Sequence, residues 1–271
     1  ASYNTAVGHT ALDANTTGAD NVAVGRNSLG ANTTASNNTA LGTNALNANT
    51  TGGTNTAVGT SSGYSVTTGA NNTFVGATSG DAVTTGSQNT FMGSSAGGLH
   101  TTASNNTFVG FVAGGAVTTG ASNTFIGALA GDAVTTGHTS VLIGQNAGGA
   151  MTTASENVII GNNAGAALTT GGQNILIGDN AGAAGAITGI RNVAVGDNAL
   201  YSVVAGGGNI AIGYAAGNVV SSGDNNVFVG TSSGQANTTA SGNVGVGTSA
   251  LNANTTGANN VALGIRTLDV N

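Results

Sequence analysis

Histidine and carboxylate side chains have the greatest capacity for chemistry in this chain, and they are few. His9, His100 and His138 fall at different points of the repeat described below, so we expect them to be isolated. Asp179 and Asp197 share one point in adjacent repeats and could hold a cation between them, but calcium prefers six or more oxygen ligands. An enzyme site needs several polar groups converging in a cavity. We therefore predict no catalytic residue, no metal site and no cofactor.

Two further motif matches arise from the repeat itself. Residues 245–250 read Gly-Val-Gly-Thr-Ser-Ala and nearly fit a dinucleotide-binding fingerprint, but no helix or βαβ context follows them. Asn-Thr-Thr triplets at Asn15, Asn32 and Asn254 fit the acceptor pattern for N-glycosylation. Such triplets are expected in a repeat rich in Asn and Thr, so neither match identifies a function.

The composition excludes several classes of protein. Charged residues make up 4% of the 271 residues, against about 25% in ordinary soluble domains. Three Arg and no Lys cannot form the basic patch that nucleic-acid binding needs, so we predict no nucleic-acid partner. The absence of Cys excludes a disulfide framework. No run of about 18 apolar residues occurs, so we predict no membrane insertion.

A 17-residue repeat occupies the whole chain. The pentad Asn-Thr-Ala-Val-Gly at residues 4–8 recurs with variation, and the single step of 18 lies between residues 174 and 192. We predict one repeat domain over residues 1–271. Its repeats begin at residues 4, 21, 38, 55, 72, 89, 106, 123, 140, 157, 174, 192, 209, 226, 243 and 260.

The repeat predicts an all-β fold, a parallel β-solenoid of sixteen 17-residue coils. Counting positions from the Asn of each pentad, position 4 is always aliphatic or Met and position 5 is always Gly. The β-branched residues before that Gly favour a strand, and the Gly suits a tight corner. In stacked coils each position lies on its own copy, which predicts a structural ladder of Asn and Gly. Its first members are Asn4, Asn21, Asn38, Asn55, Asn72, Gly8, Gly25, Gly42, Gly59 and Gly76.

Positions 3 and 9 vary together. Where position 3 is small, position 9 is usually Leu, as in Ala40 with Leu46; where position 3 is large, position 9 is Gly, as in Phe91 with Gly97. Protein interiors tolerate little change in volume. We infer that positions 3 and 9 fill one shared space.

Positions 3 and 4 are both apolar, although successive strand residues point to opposite faces. An apolar stripe exposed to water is typical of an interface. We therefore predict that the large residues at position 3 form a column that packs between chains. The alternative is a wide, flattened coil whose interior takes up both positions. The predicted column comprises Phe74, Phe91, Phe108, Phe125, Leu142, Ile159, Leu176 and Phe228.

Residues 192–199, Asn-Val-Ala-Val-Gly-Asp-Asn-Ala, resemble the head repeats of trimeric autotransporter adhesins. Residues 38–52 are similar to repeats in phage and bacterial tail-fibre proteins. The resemblance covers the whole chain and implies a left-handed parallel β-roll in which three chains pack around one axis. This repeat is longer than that of the adhesin heads, which lengthens one side of each coil. The resemblance supplies no ligand.

These observations predict a non-enzymatic structural and adhesive fibre segment, located extracellularly, on a cell surface or on a virion. The predicted partners are further copies of the chain in a homotrimer and a surface receptor or host ligand of unknown identity. The first alternative is an extracellular filament whose subunits stack end to end, because the first and last repeats lack the atypical polar sequence of capping repeats. The second is ice binding by the Thr columns at positions 13 and 14, of which we expect one to face outward.

Overall fold

A computed structural model describes residues 2–269 of the protein; residues 1, 270 and 271 of the predicted domain lie outside the described residues. The chain has two compact units, Ala1–Gly137 and His138–Asn271. Each unit contains eight strands of three residues. The first has β1 Thr5–Val7, β2 Val22–Val24, β3 Thr39–Leu41, β4 Thr56–Val58, β5 Thr73–Val75, β6 Thr90–Met92, β7 Thr107–Val109 and β8 Thr124–Ile126. The second has β9 Val141–Ile143, β10 Val158–Ile160, β11 Ile175–Ile177, β12 Val193–Val195, β13 Ile210–Ile212, β14 Val227–Val229, β15 Val244–Val246 and β16 Val261–Leu263.

The strands occupy coil positions 2 to 4 and pair in parallel within each unit. In the first unit Thr73 of β5 pairs with Thr90 of β6, and in the second Val158 of β10 pairs with Ile175 of β11. Each strand therefore pairs with the strand at the same position of the next coil. The predicted fold class, an all-β parallel β-solenoid with a 17-residue repeat, is confirmed for the described residues. The handedness and the trimer stay predictions.

Backbone hydrogen bonds continue between coils outside the strands. The amide of Leu29 donates to the carbonyl of Ala45 at 3.0 Å, and the amide of Asn37 donates to that of Ala19 at 3.0 Å. Buried backbone polar groups need such partners. Consequently the turns of each coil, and not only its strand, join it to the coils on both sides.

The fixed Gly at position 5 turns the chain out of each strand. Its φ is +130° at Gly25 and +138° at Gly178, a region that L-residues rarely adopt. A Cβ added at Gly178 would lie 2.4 Å from the carbonyl oxygen of Gly196 in the next coil. Both the backbone conformation and the close approach of the next coil therefore require Gly.

The single 18-residue step is accommodated in a short bulge. Gly185, at φ +86°, and Ala186 are both exposed, whereas the next residue, Ile187, is buried and forms a parallel bridge with Leu168. The extra residue is thus absorbed on the surface, and the interior of the second unit remains filled.

Candidate functional site

Each strand turns position 3 inward and positions 2 and 4 outward. In β5, for example, Phe74 is fully buried, whereas Thr73 and Val75 on either side of it are half-buried. The two outward positions form a surface along each unit, which we call the outer sheet face. Because strand residues alternate between faces, the whole column at position 3 belongs to the interior.

The predicted interchain column is therefore wrongly placed. Its members have side chains with at most 1% exposure within a single chain, so they cannot form a seam between chains. Phe91 and Phe108 stack with ring centroids 4.7 Å apart, and Phe108 and Phe125 stack at 4.9 Å. The members inside the coils are Phe74, Phe91, Phe108, Phe125, Leu142, Ile159, Leu176 and Phe228.

The large residue at position 3 occupies the space next to position 9. A Cβ added at Gly97 would lie 2.5 Å from the ring of Phe91, and one added at Gly234 would lie 2.3 Å from the ring of Phe228. In coils with a small position 3, the side chain of Leu46 is fully buried instead, although its φ is +48°. The covariation thus has a direct steric cause.

The outer sheet face has an apolar residue at position 4 of every strand. Position 4 is Val, Leu, Ile or Met in every strand, and Leu41, Met92 and Ile212 are 47%, 42% and 41% exposed. Sequence reasoning missed this face because it treated position 3 as the outward one. The Asn at position 1 was a usable signal, since positions 1 and 3 share a face and a stacked amide needs backbone partners.

The two units differ on this face. In the first unit, position 2 is Thr in every strand except β2, which has Val22. In the second unit, position 2 is Val or Ile in every strand, so both outward columns are aliphatic. Neither outward position carries a charged residue in any strand. Exposed, uncharged aliphatic surface of this extent is typical of a protein interface.

The Asn ladder lies inside the coils and has a structural role. The amide N–H of Asn38 donates to Oδ1 of Asn21 at 2.9 Å, and Nδ2 of Asn38 donates to the carbonyl of Gly52 at 3.0 Å. The same pattern links Asn55 to Asn38 and to Gly69. In coil 9, Ser140 replaces Asn, and its Oγ accepts the N–H of Asn157 at 3.2 Å. Each ladder residue therefore joins its own coil to the adjacent one.

The three histidines lie apart in structure as in sequence. His9 and His138 are exposed in different units, whereas His100 is fully buried, with its ring perpendicular to the rings of both Phe91 and Phe108. Nε2 of His100 lies 2.9 Å from the carbonyl of Ala103, which fits a neutral ring that donates this proton. Burial lowers the pKa of His100, and its Nδ1 has no partner among the described residues.

The acidic residues do not gather into a metal site. Oδ1 of Asp179 accepts from Asn162 at 3.2 Å, and Oδ1 of Asp197 accepts from Asn198 at 2.7 Å. Burial raises the pKa of Asp81, at position 10 of its coil. Within residues 2–269 no group of three or more metal-ligating side chains occurs, and no helix there is long and apolar enough to cross a membrane.

Four of the five Asn-Thr-Thr triplets place their Asn inside the coils, whereas Asn15 in the first coil is half-buried. Asn32 and Asn49 are fully buried, and Nδ2 of each donates to a backbone carbonyl three residues later, that of Ala35 or Gly52. Asn254 is 2% exposed and bonds Gly257 in the same way. These amides are inaccessible to a glycosylating enzyme in the folded protein. Each of them stabilises the turn that follows it through its hydrogen bond to the backbone.

Comparison with protein-family models and with characterised proteins finds no match to this chain.

Proposed function

We propose that the chain is a non-enzymatic structural and adhesive fibre segment, extracellular and homotrimeric, that self-associates through its outer sheet face. The observation that carries this proposal is the aliphatic column at position 4, which is maintained in every strand although it points outward. Hydrophobic side chains held in water at every coil are stabilised when another surface covers them. The resemblance to trimeric adhesin heads and tail fibres supports the same assembly.

Further copies of this chain are the occupants that best fit the face. Every strand presents the same two outward positions, and neighbouring strands lie about 4.8 Å apart. A second copy therefore offers apolar rows with the same spacing, so ridges and grooves can interdigitate along a whole unit. Because these positions carry no charge, covering them avoids the cost of desolvating ionised groups. The remaining outward side chains stay available to contact a receptor or host surface.

The test is the absolute mass of the protein, measured by light scattering on a size-exclusion column. We expect a single species at three times 25.5 kDa. Replacement of Val195 and Ile212 by Lys places charge on the outer sheet face and should give the 25.5 kDa monomer. Lys at the exposed Ala205 and Ser222 of the same two coils is the matched control and should leave the trimer intact.

Circular dichroism of both variants checks that the solenoid still folds. A monomeric wild-type protein would contradict the homotrimer. Polydisperse material in the void volume would favour the end-to-end filament over the closed trimer. Equal masses for the outer-face variant and its control would show that this face is not the interface.

A further inference from the structure

A second outward face lies on the opposite side of each coil from the strand. Position 12 points inward, as shown by the fully buried Val66, Val83 and Val117. His100, also at position 12, meets Phe91 of position 3 edge to face at 5.2 Å, so the two segments enclose the interior between them. Positions 11 and 13 flank the inward residue and face away from the outer sheet face.

In the first unit position 13 is Thr in every coil, and seven of the eight hydroxyls, those of Thr16 to Thr118, are held in the same way. Oγ1 of Thr33 donates to the carbonyl of Thr50 at 3.1 Å, and the same bond recurs between successive coils at 2.9–3.2 Å. Because the bond fixes χ1, the hydroxyl oxygens and the methyl groups of these seven residues have one orientation. The column comprises Thr16, Thr33, Thr50, Thr67, Thr84, Thr101, Thr118 and Thr135.

The neighbouring column at position 11 is small. It is Ala in six of the eight coils of the first unit, with Ser65 and Leu99 as the exceptions. Neither column carries a charged residue in this unit. We call positions 11 and 13 of the first unit the Thr face. It presents methyl groups and hydroxyls in rows that repeat at the coil spacing of about 4.8 Å.

We propose that the Thr face binds ice. A protein surface adsorbs to ice when its polar and apolar groups repeat at a regular spacing close to that of the water molecules in the ice lattice. Side chains that are already fixed lose little entropy on binding, which is the advantage of a preorganised surface. Each Thr hydroxyl uses its proton internally and keeps its oxygen lone pairs to accept hydrogen bonds from ordered water. The face is independent of the outer sheet face, so it stays open in a self-associated protein.

The second unit lacks this regularity. In coil 11, after the inserted residue, Ile187 is the buried inward residue, and Oγ1 of Thr188 donates to the carbonyl of Val204 at 3.3 Å. The row of Thr residues is interrupted by Val204 in coil 12 and by Ser221, which has no methyl group, in coil 13. The same repeat therefore supplies an internal comparison, in which only the first unit has an unbroken row. We expect ice adsorption to depend on the first unit.

The experiment measures thermal hysteresis and ice shaping by the full chain in a nanolitre osmometer. Thr67→Tyr combined with Thr84→Tyr places two bulky rings in the middle of the Thr face and should abolish most of the thermal hysteresis. Thr238→Tyr combined with Thr255→Tyr is the matched control, because these two residues occupy the same position in adjacent coils of the second unit and Oγ1 of Thr238 makes the same bond to Thr255 at 3.1 Å. It should retain the wild-type thermal hysteresis.

A second variant tests the proposal in the opposite direction. Leu99 is 57% exposed at position 11 and projects from an otherwise small column. Leu99→Ala should increase thermal hysteresis, a result that a damaged fold would not produce. Wild-type protein that neither shapes ice nor depresses its growth temperature overturns the proposal. So does thermal hysteresis that Thr67→Tyr with Thr84→Tyr leaves unchanged.

Discussion

At the scale of single residues, the volume of one side chain decides what its partner in the coil can be. The ring of Phe228 fills the space where a Cβ on Gly234 would have to lie, 2.3 Å away. In most coils where the residue at position 3 is Gly or Ala, as at Gly245, a Leu such as Leu251 fills the space from position 9; the coils with Gly63 and Gly217 at position 9 are the exceptions. The two arrangements are alternative solutions of one packing problem.

Phe228 and Gly234 can therefore be replaced by the other arrangement, a small residue at position 3 with Leu at position 9. Phe228→Ala alone should lower the free energy of unfolding by about 3–5 kcal/mol, because it leaves a cavity. Gly234→Leu alone should also destabilise, because the added side chain meets the ring of Phe228. The double variant should regain most of the loss, which a double-mutant cycle of urea unfolding measures. Additive losses would contradict the shared space.

His100 should make the stability of the protein depend on pH. Burial lowers its folded pKa below the unfolded value of about 6.5. As the pH falls below about 6.5, the unfolded chain binds a proton first, so the free energy of unfolding decreases until the pH reaches the folded pKa. The contribution of a neutral His100 is complete above that range.

The matched variant for this prediction is His100→Val, since Val83 and Val117 occupy the same position in the adjacent coils. Urea unfolding of wild type and variant at about pH 7 and about pH 5 should show a larger loss in the wild type. Burial also raises the pKa of Asp81 and of Asp132, but their effect on the pH dependence of stability is the same in both proteins and cancels in the comparison. The same loss in both would show that His100 does not titrate with folding.

At the scale of the coil, the corner after the strand is the element with the least tolerance. Gly178 has a φ of +138° and lies against the backbone of the next coil, so no side chain fits there without movement of that backbone. Position 10 is different: a Cβ added at Gly98 would lie 3.4 Å from its nearest neighbour, the carbonyl oxygen of Ser95. The structure therefore requires Gly at position 5, whereas position 10 has room for a side chain.

Gly178→Ala should therefore destabilise strongly, by about 1–3 kcal/mol from backbone strain alone. Gly98→Ala should change the free energy of unfolding little, because the site has room and no positive φ. Thermal unfolding followed by circular dichroism compares the two. Equal losses of stability in the two variants would show that the positive φ of Gly178 is not the cause of the loss at the corner.

The sequence predicts the period, the strand positions and the parallel stacking, because all three follow from a pattern repeated sixteen times. It also predicts that positions 3 and 9 share a space. The apolar residues of the strand alone do not reveal which face is inside, since Phe91 and Met92 are both apolar neighbours, and the Asn at position 1 is the one sequence signal for it. That choice depends on the room beside Gly97, a property of the closed coil. The outer sheet face was missed for this reason, and the self-association it supports stays a prediction.

At the scale of the whole molecule, ionic interactions have little part in stability. Only 4% of the residues are charged, and the net charge is −6. Stability instead comes from the buried apolar column and from hydrogen bonds between coils. Screening by salt acts on charges and leaves both of these contributions in place.

The midpoint of thermal unfolding should consequently change little between low and high concentrations of sodium chloride. Sulfate should raise it, because excluded salts strengthen the burial of apolar surface. Scanning calorimetry over a series of both salts makes the comparison. A strong dependence on sodium chloride would show that the few charged groups carry more of the stability than their number suggests.

The hydrogen bonds between coils also have a consequence for folding and for the history of the chain. Most of them join residues close to one repeat length apart, so the sequence separation of native contacts stays constant however many coils are present. Folding speed falls as that separation grows relative to chain length. An added coil therefore introduces no contact between residues farther apart in sequence than those already present. Folding can begin at any coil and spread to its neighbours. Duplication or loss of a 17-residue segment should be tolerated far more readily than a gain or loss of two or three residues.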